Sequence, residues 1–115
     1  MLARGTLSLS THGAIELAAG LATMLGSLIL GFGPAGIVIA FALGAVLVGM
    51  SLNLTAARGP ILAAHRDLDS VFVLGAAAAA LALAVAGDGA AGIFIAAVVA
   101  IQSSLHLVTR YTSAG

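Results

Sequence analysis

The feature that most constrains this chain is a set of four long apolar runs, which take up nearly all of its 115 residues. A helix needs about 20 mostly apolar residues to cross a hydrocarbon layer of about 30 Å, because each residue adds about 1.5 Å. The runs, all near that length, cover 12–33, 35–57, 61–87 and 90–109. We therefore expect one membrane domain, residues 1–115, folded as an all-α, four-helix transmembrane bundle.

Composition excludes several classes of protein. Charged residues make up 7% of the chain and hydrophobic ones 62%, whereas soluble domains carry about 25% charge. The net charge of zero gives no basic surface for nucleic acid, and the absence of cysteine excludes disulfides and thiolate metal sites. Since no catalytic or phosphate-binding motif is present, we expect a non-enzymatic protein whose main partner is the lipid bilayer.

The arginines predict the orientation of the chain. Short loops rich in arginine remain in the cytoplasm. The four arginines all lie at one end of the runs: Arg4, Arg58, Arg66 and Arg110. The turns at 31–36 and 87–92 contain only Asp88 as a charged group, which we interpret as a solvated turn residue. The chain is therefore predicted to lie in a bacterial cytoplasmic membrane with both termini cytoplasmic.

The two halves of the chain are similar to each other. A shift of 53 residues, without gaps, aligns 12–54 with 65–107 and places His12 on His65 and Glu16 on Asp69. Each repeat would be one helical hairpin that starts and ends on the cytoplasmic side. We therefore predict two parallel-related hairpin repeats, with a pseudo-twofold axis along the membrane normal.

Small residues at helical spacing predict close helix packing, since lipid supplies no hydrophobic force between helices. The second run contains Gly36, Ala40 and Gly44. Longer stripes are expected on the first run at Glu16, Gly20, Thr23, Ser27 and Gly31, and on the third at Asp69, Val73, Ala76, Ala80 and Ala84. Ser10 or Thr11 is expected to cap the first helix. Such faces favour a homo-oligomer or association with partner membrane subunits.

Polar side chains from all four runs fall near the cytoplasmic level. The set comprises His12, Glu16, Asn53, His65, Asp69, Gln102 and His106. Glu16 and Asp69 lie about 6 Å deeper than their histidines and on the same helix faces. We expect His12 to pair with Glu16 and His65 with Asp69, and Asn53 and His106 to bridge the hairpins.

Three interpretations of this polar cluster are open. The first is a hydrogen-bonded belt that fixes helix register, in a protein that self-associates or serves as an accessory membrane subunit. The second is a proton- or cation-coupled small transporter that uses the carboxylates. The third is a metal-binding membrane protein, with Zn, Mn or Fe held by His12, Glu16, His65, Asp69 and His106, or haem held by two histidines. The sequence itself predicts no cofactor.

Two resemblances agree with a small four-span protein. Residues 20–32, which end in Leu30-Gly31-Phe32, resemble the SPW-repeat family of small bacterial membrane proteins, although Gly26-Ser27-Leu28 replaces the Ser-Pro-Trp signature. This resemblance implies tandem two-helix units. Glu16, in Ile-Glu-Leu-Ala, is similar in position to the essential glutamate of the small multidrug resistance transporters. That resemblance implies proton-coupled transport, although this chain lacks the tryptophan of that family.

Overall fold

The structure is a computed structural model that describes the backbone of residues 7–54 and 60–109 and the side chains of residues 7–52 and 65–109. Four helices account for nearly all of these ranges: α1 (Leu9–Ile29), α2 (Pro34–Leu54), α3 (Pro60–Val85) and α4 (Gly89–Val108). Within these ranges, the prediction of an all-α fold with four helices is confirmed. Each helix is long and apolar enough to cross a membrane.

The helix ends follow local chemistry and shift the predicted boundaries by up to four residues. The Ser8 hydroxyl accepts the amide hydrogen of Thr11, so the predicted cap at Ser10 or Thr11 is wrong and α1 begins earlier. The helix ends at Ile29 rather than 33, because Gly31 turns the chain in the left-handed region with φ 76°. Prolines begin α2 and α3, where their missing N–H is not needed.

The described surface is apolar and the interior is partly polar, which reverses the usual pattern of a soluble protein. Large aliphatic side chains such as Ile29 and Val85 are 77% and 80% exposed. In contrast, His12, Glu16 and Asp69 are completely buried. Water would penalise so much exposed apolar area, whereas lipid favours it. The distribution of side chains agrees with an integral membrane protein.

Backbone contact through glycine holds the first hairpin together. A Cβ atom on Gly44 would lie 2.7 Å from the Gly20 carbonyl oxygen, and one on Gly20 would lie 2.9 Å from that of Gly44. In the second hairpin, a Cβ on Gly92 would lie 2.9 Å from the Ala80 oxygen. Helices α1 and α2 therefore pack backbone to backbone, as do α3 and α4, and contact between the hairpins is less extensive.

Asp88 links the two outer turns, which corrects its interpretation as a solvated residue. One carboxylate oxygen accepts the Ala91 amide hydrogen at 3.3 Å and caps α4. The other accepts the Gly33 amide hydrogen at 2.9 Å, across to the first hairpin. The side chain is half-buried because it is held by these two turns.

The arginine pattern falls mostly outside the described ranges. Arg4, Arg58 and Arg110 lie outside them, whereas Arg66 is exposed on α3. The orientation in the membrane and the repeat relation between the hairpins therefore stay predictions.

Candidate metal centre

The structure brings five of the seven predicted polar residues together near the end of the bundle where α1 begins and α4 ends. These five are buried: His12, Glu16, His65, Asp69 and Gln102. A sixth, His106, contacts the cluster with a quarter of its side chain exposed. The side chain of Asn53 lies outside the described residues.

Each carboxylate faces both imidazoles. The expected pairs within one helix are present, with His12 Nε2 3.2 Å from Glu16 Oε2 and His65 Nε2 3.6 Å from Asp69 Oδ1. Two further pairs join α1 to α3, and the sequence argument missed them. His12 Nε2 lies 3.4 Å from Asp69 Oδ2, and His65 Nε2 lies 3.4 Å from Glu16 Oε1. The four side chains therefore form a closed ring of alternating nitrogen and oxygen contacts.

Gln102 on α4 holds the two carboxylates at a fixed separation. Its amide nitrogen donates to Glu16 Oε2 at 2.7 Å and to Asp69 Oδ1 at 3.0 Å. Because a primary amide carries two hydrogens, one group can serve both acceptors. Gln102 thus bridges the two hairpins, a contact that the sequence did not predict. His106 contacts Asp69 and Ser70, and the bridge predicted for Asn53 and His106 stays a prediction because the Asn53 side chain lies outside the described residues.

Thr109 determines which nitrogen of His12 faces the carboxylates. The Thr109 hydroxyl donates its hydrogen to the Leu105 carbonyl at 2.5 Å and lies 2.7 Å from His12 Nδ1. The hydroxyl has only one hydrogen, which it donates to Leu105, so its oxygen accepts the hydrogen on His12 Nδ1. The other ring nitrogen, Nε2, faces the carboxylates. An oriented imidazole of this kind is typical of metal-binding histidines. The sequence contained no signal for Thr109, because it meets His12 across 97 residues.

Several buried polar atoms at the centre have no hydrogen-bond partner among the described residues. They are Glu16 Oε1, Gln102 Oε1 and both ring nitrogens of His65. Buried polar groups are normally paired, because an unpaired one costs about 1–3 kcal/mol. His65 Nε2 and Glu16 Oε1 lie 3.4 Å apart without forming a hydrogen bond. The centre thus offers ligand atoms that hydrogen bonding within the cluster does not use.

The charge of the cluster must be balanced locally. Two carboxylates lie fully buried and separated from water, where an uncompensated charge is strongly unfavourable. Their charge is neutralised by protons on the imidazoles or on the carboxylates themselves, or by a bound cation.

The four side chains converge closely enough to surround one small divalent ion after a small inward movement. Ligand atoms about 2.0–2.2 Å from a tetrahedral Zn²⁺ lie about 3.3–3.6 Å from one another. The nearest nitrogen-to-oxygen separations here are 3.2, 3.4, 3.4 and 3.6 Å, but they involve both oxygens of each carboxylate and so do not belong to one set of four ligand atoms. One ligand atom from each of the four residues lies within 4.8 Å of the others. Haem fits this arrangement poorly, because a porphyrin would have to separate two imidazole rings that are in edge contact inside a packed bundle.

Comparison with known proteins adds no family to this description. No protein-family model, curated protein or solved structure matches the chain. The site and the apolar helices therefore define the protein as a four-helix chain of membrane-span character with a buried His/carboxylate cluster.

Proposed function

We propose that this chain is an integral membrane protein that binds one divalent transition-metal ion through His12, Glu16, His65 and Asp69. The observation that carries the proposal is the convergence of two imidazoles and two carboxylates, all buried, with one ligand atom from each within 4.8 Å of the others. Nitrogen and oxygen donors of this type suit Zn²⁺, Mn²⁺ or Fe²⁺.

The surrounding residues support a metal centre. Residues that hydrogen-bond to metal ligands hold those ligands in position. Loss of such a residue typically weakens metal affinity by about 10–100-fold. Thr109 orients His12, and Gln102 holds both carboxylates. One divalent cation would also neutralise the two carboxylates when both imidazoles are neutral.

A second candidate is a purely structural belt in a self-associating or accessory membrane protein. The ring of four contacts favours it, because protonated imidazoles can satisfy the carboxylates without a metal. Transport coupled to the same carboxylates stays a prediction. In each case we propose a non-enzymatic protein with cytoplasmic termini, on the basis of the arginine pattern and the absence of catalytic motifs.

Titration with Co²⁺ in detergent distinguishes the two candidates. Four-coordinate Co²⁺ absorbs visible light far more strongly than octahedral Co²⁺, so a tetrahedral site would give an intense spectrum that saturates at one equivalent. The double variant Glu16→Gln/Asp69→Asn should keep its helical circular dichroism and lose this spectrum. A wild-type chain that gives no spectrum, together with a double variant that unfolds, would favour the belt instead.

A further inference from the structure

We propose that a groove between α3 and α4 is the route by which the metal ion reaches the buried centre, and that His106 receives the ion and passes it to Asp69. This inference rests on the proposed metal-binding function. The groove has a volume of about 320 Å³ and is lined by Ser70, Val73, Leu74, Ser103, His106 and Leu107.

A route is needed because the four ligands are closed off. His12, Glu16 and Asp69 have no exposed surface, and His65 is 1% exposed. Gln102 and Thr109, which contact these ligands, are themselves buried. Among the described side chains, the entry point for an ion is therefore a residue that touches both the ligands and the surface.

His106 has that position. Its Nδ1 lies 3.8 Å from Asp69 Oδ2, and its Nε2 lies 3.3 Å from the Ser70 hydroxyl in the groove. One ring nitrogen thus faces the buried centre while the other faces the opening. With a quarter of its side chain exposed, the imidazole is accessible from the groove.

Three polar side chains in the groove can contact a passing cation. The groove walls are mostly aliphatic, and Ser70, Ser103 and His106 supply oxygen and nitrogen donors along the path. His106 belongs to the last turn of α4, so the opening lies at the end of the bundle, where a membrane helix meets the headgroups. A single imidazole holds a divalent ion weakly, whereas four ligands hold it firmly, so the ion would proceed inward.

Two neighbouring serines allow a matched test of the groove. Ser103 lines it, whereas Ser104 is exposed elsewhere on α4. Ser103→Leu narrows the groove without touching a ligand, and Ser104→Leu makes the same chemical change outside it. His106→Ala removes the transfer residue.

The measurement is stopped-flow uptake of Co²⁺ by the full chain in detergent, followed by removal with excess chelator. We expect His106→Ala and Ser103→Leu to slow both steps by about tenfold or more, the change that about 1.4 kcal/mol of barrier produces. Ser104→Leu should match wild type. A transfer route affects both directions equally, so the equilibrium affinity and the final spectrum should be unchanged.

Other results would overturn the route. Unchanged rates in both His106→Ala and Ser103→Leu would exclude it and leave the metal centre intact. Weaker affinity with faster release in His106→Ala would make His106 a permanent ligand rather than a transfer residue. A wild-type chain that binds no Co²⁺ would instead overturn the proposed function itself.

Discussion

The two ends of the bundle both contain buried or half-buried carboxylates, but those carboxylates have different partners. At the outer turns, Asp88 accepts hydrogens from the backbone amides of Gly33 and Ala91. At the opposite end, Glu16 and Asp69 face imidazole nitrogens and a side-chain amide. The first carboxylate joins two turns, whereas the other two face groups that can also bind a metal.

This difference separates a structural carboxylate from a candidate ligand. Backbone amides can only donate, so Asp88 is satisfied by the fold and has no reason to exchange its partners. An imidazole nitrogen can donate a hydrogen or offer a lone pair to a cation. The groups that contact a buried carboxylate, rather than its burial alone, therefore indicate which end of the bundle holds the candidate metal site.

The largest expected effect comes from removal of both histidine ligands. His12→Ala/His65→Ala should weaken Co²⁺ affinity by about 1,000-fold or more, a change of about 4 kcal/mol, because two of four ligands are lost. Asp88→Asn is the matched control at the other end and should bind normally. Competitive titration against a chelator of known affinity measures both. An equal loss of Co²⁺ affinity in the two variants would contradict the assignment of metal binding to one end of the bundle.

A smaller effect is expected from the amide that holds the carboxylates. Gln102→Leu keeps the volume of the side chain but removes its hydrogen bonds to Glu16 and Asp69. We expect affinity to fall by about 10–100-fold, as for other outer groups of metal sites. Thr23→Val, a buried polar change in α1 away from the cluster, should leave affinity unchanged. Tighter binding in Gln102→Leu would contradict the assigned role.

Between the two ends, close backbone packing should dominate stability. Gly44→Val would place a side chain against the Gly20 carbonyl oxygen and should destabilise the bundle by about 1–3 kcal/mol. Gly49→Val in the same helix is the control, since no atom beyond its chain neighbours and the backbone of its own helix lies within 4 Å of its added Cβ. Unfolding in a graded denaturing detergent compares the two. Equal stability of both variants would mean that the helices separate easily at Gly44.

The smallest effect is expected at the outer turns. Asp88→Ala removes a helix cap and the contact with Gly33, which should lower the free energy of unfolding by about 0.5–2 kcal/mol. Metal affinity should not change, because the site lies at the other end. The same detergent titration, run with and without Co²⁺, measures both quantities. If Asp88→Ala changed the Co²⁺ affinity and left the free energy of unfolding unchanged, the structural role assigned to the outer turns would be contradicted.

The sequence predicted the helices well because membrane length and apolar composition leave little choice of fold. It also predicted the α2 seam, since Gly36, Ala40 and Gly44 are buried as expected. On α3, Ala76 and Ala80 are buried and Ala84 packs against Gly92 of α4, as expected, whereas Phe72 and Leu83 also occupy the buried face. Small size alone is a poor guide to the inward face, because large side chains pack inside a bundle wherever backbone contact is not required.

The sequence predicted most residues of the candidate site and the contacts within one helix, but not the contacts between helices. Spacing of four residues placed His12 beside Glu16 and His65 beside Asp69. The cross-helix pairs, the Gln102 bridge and the Thr109 contact depend on how α1, α3 and α4 face each other. Such tertiary contacts leave no periodic signal in one sequence. Asp88 was misjudged for the same reason, because its contact with Gly33 crosses 55 residues.

X-ray absorption at the zinc edge tests the central claim most directly. The purified chain is loaded with one equivalent of Zn²⁺, and scattering is compared with that of His12→Ala/His65→Ala. We predict four nitrogen and oxygen neighbours at about 2.0–2.2 Å, with the outer-shell scattering of two imidazoles, in wild type only. Zinc surrounded by oxygen alone, or the same spectrum in both proteins, would contradict a metal centre at this cluster.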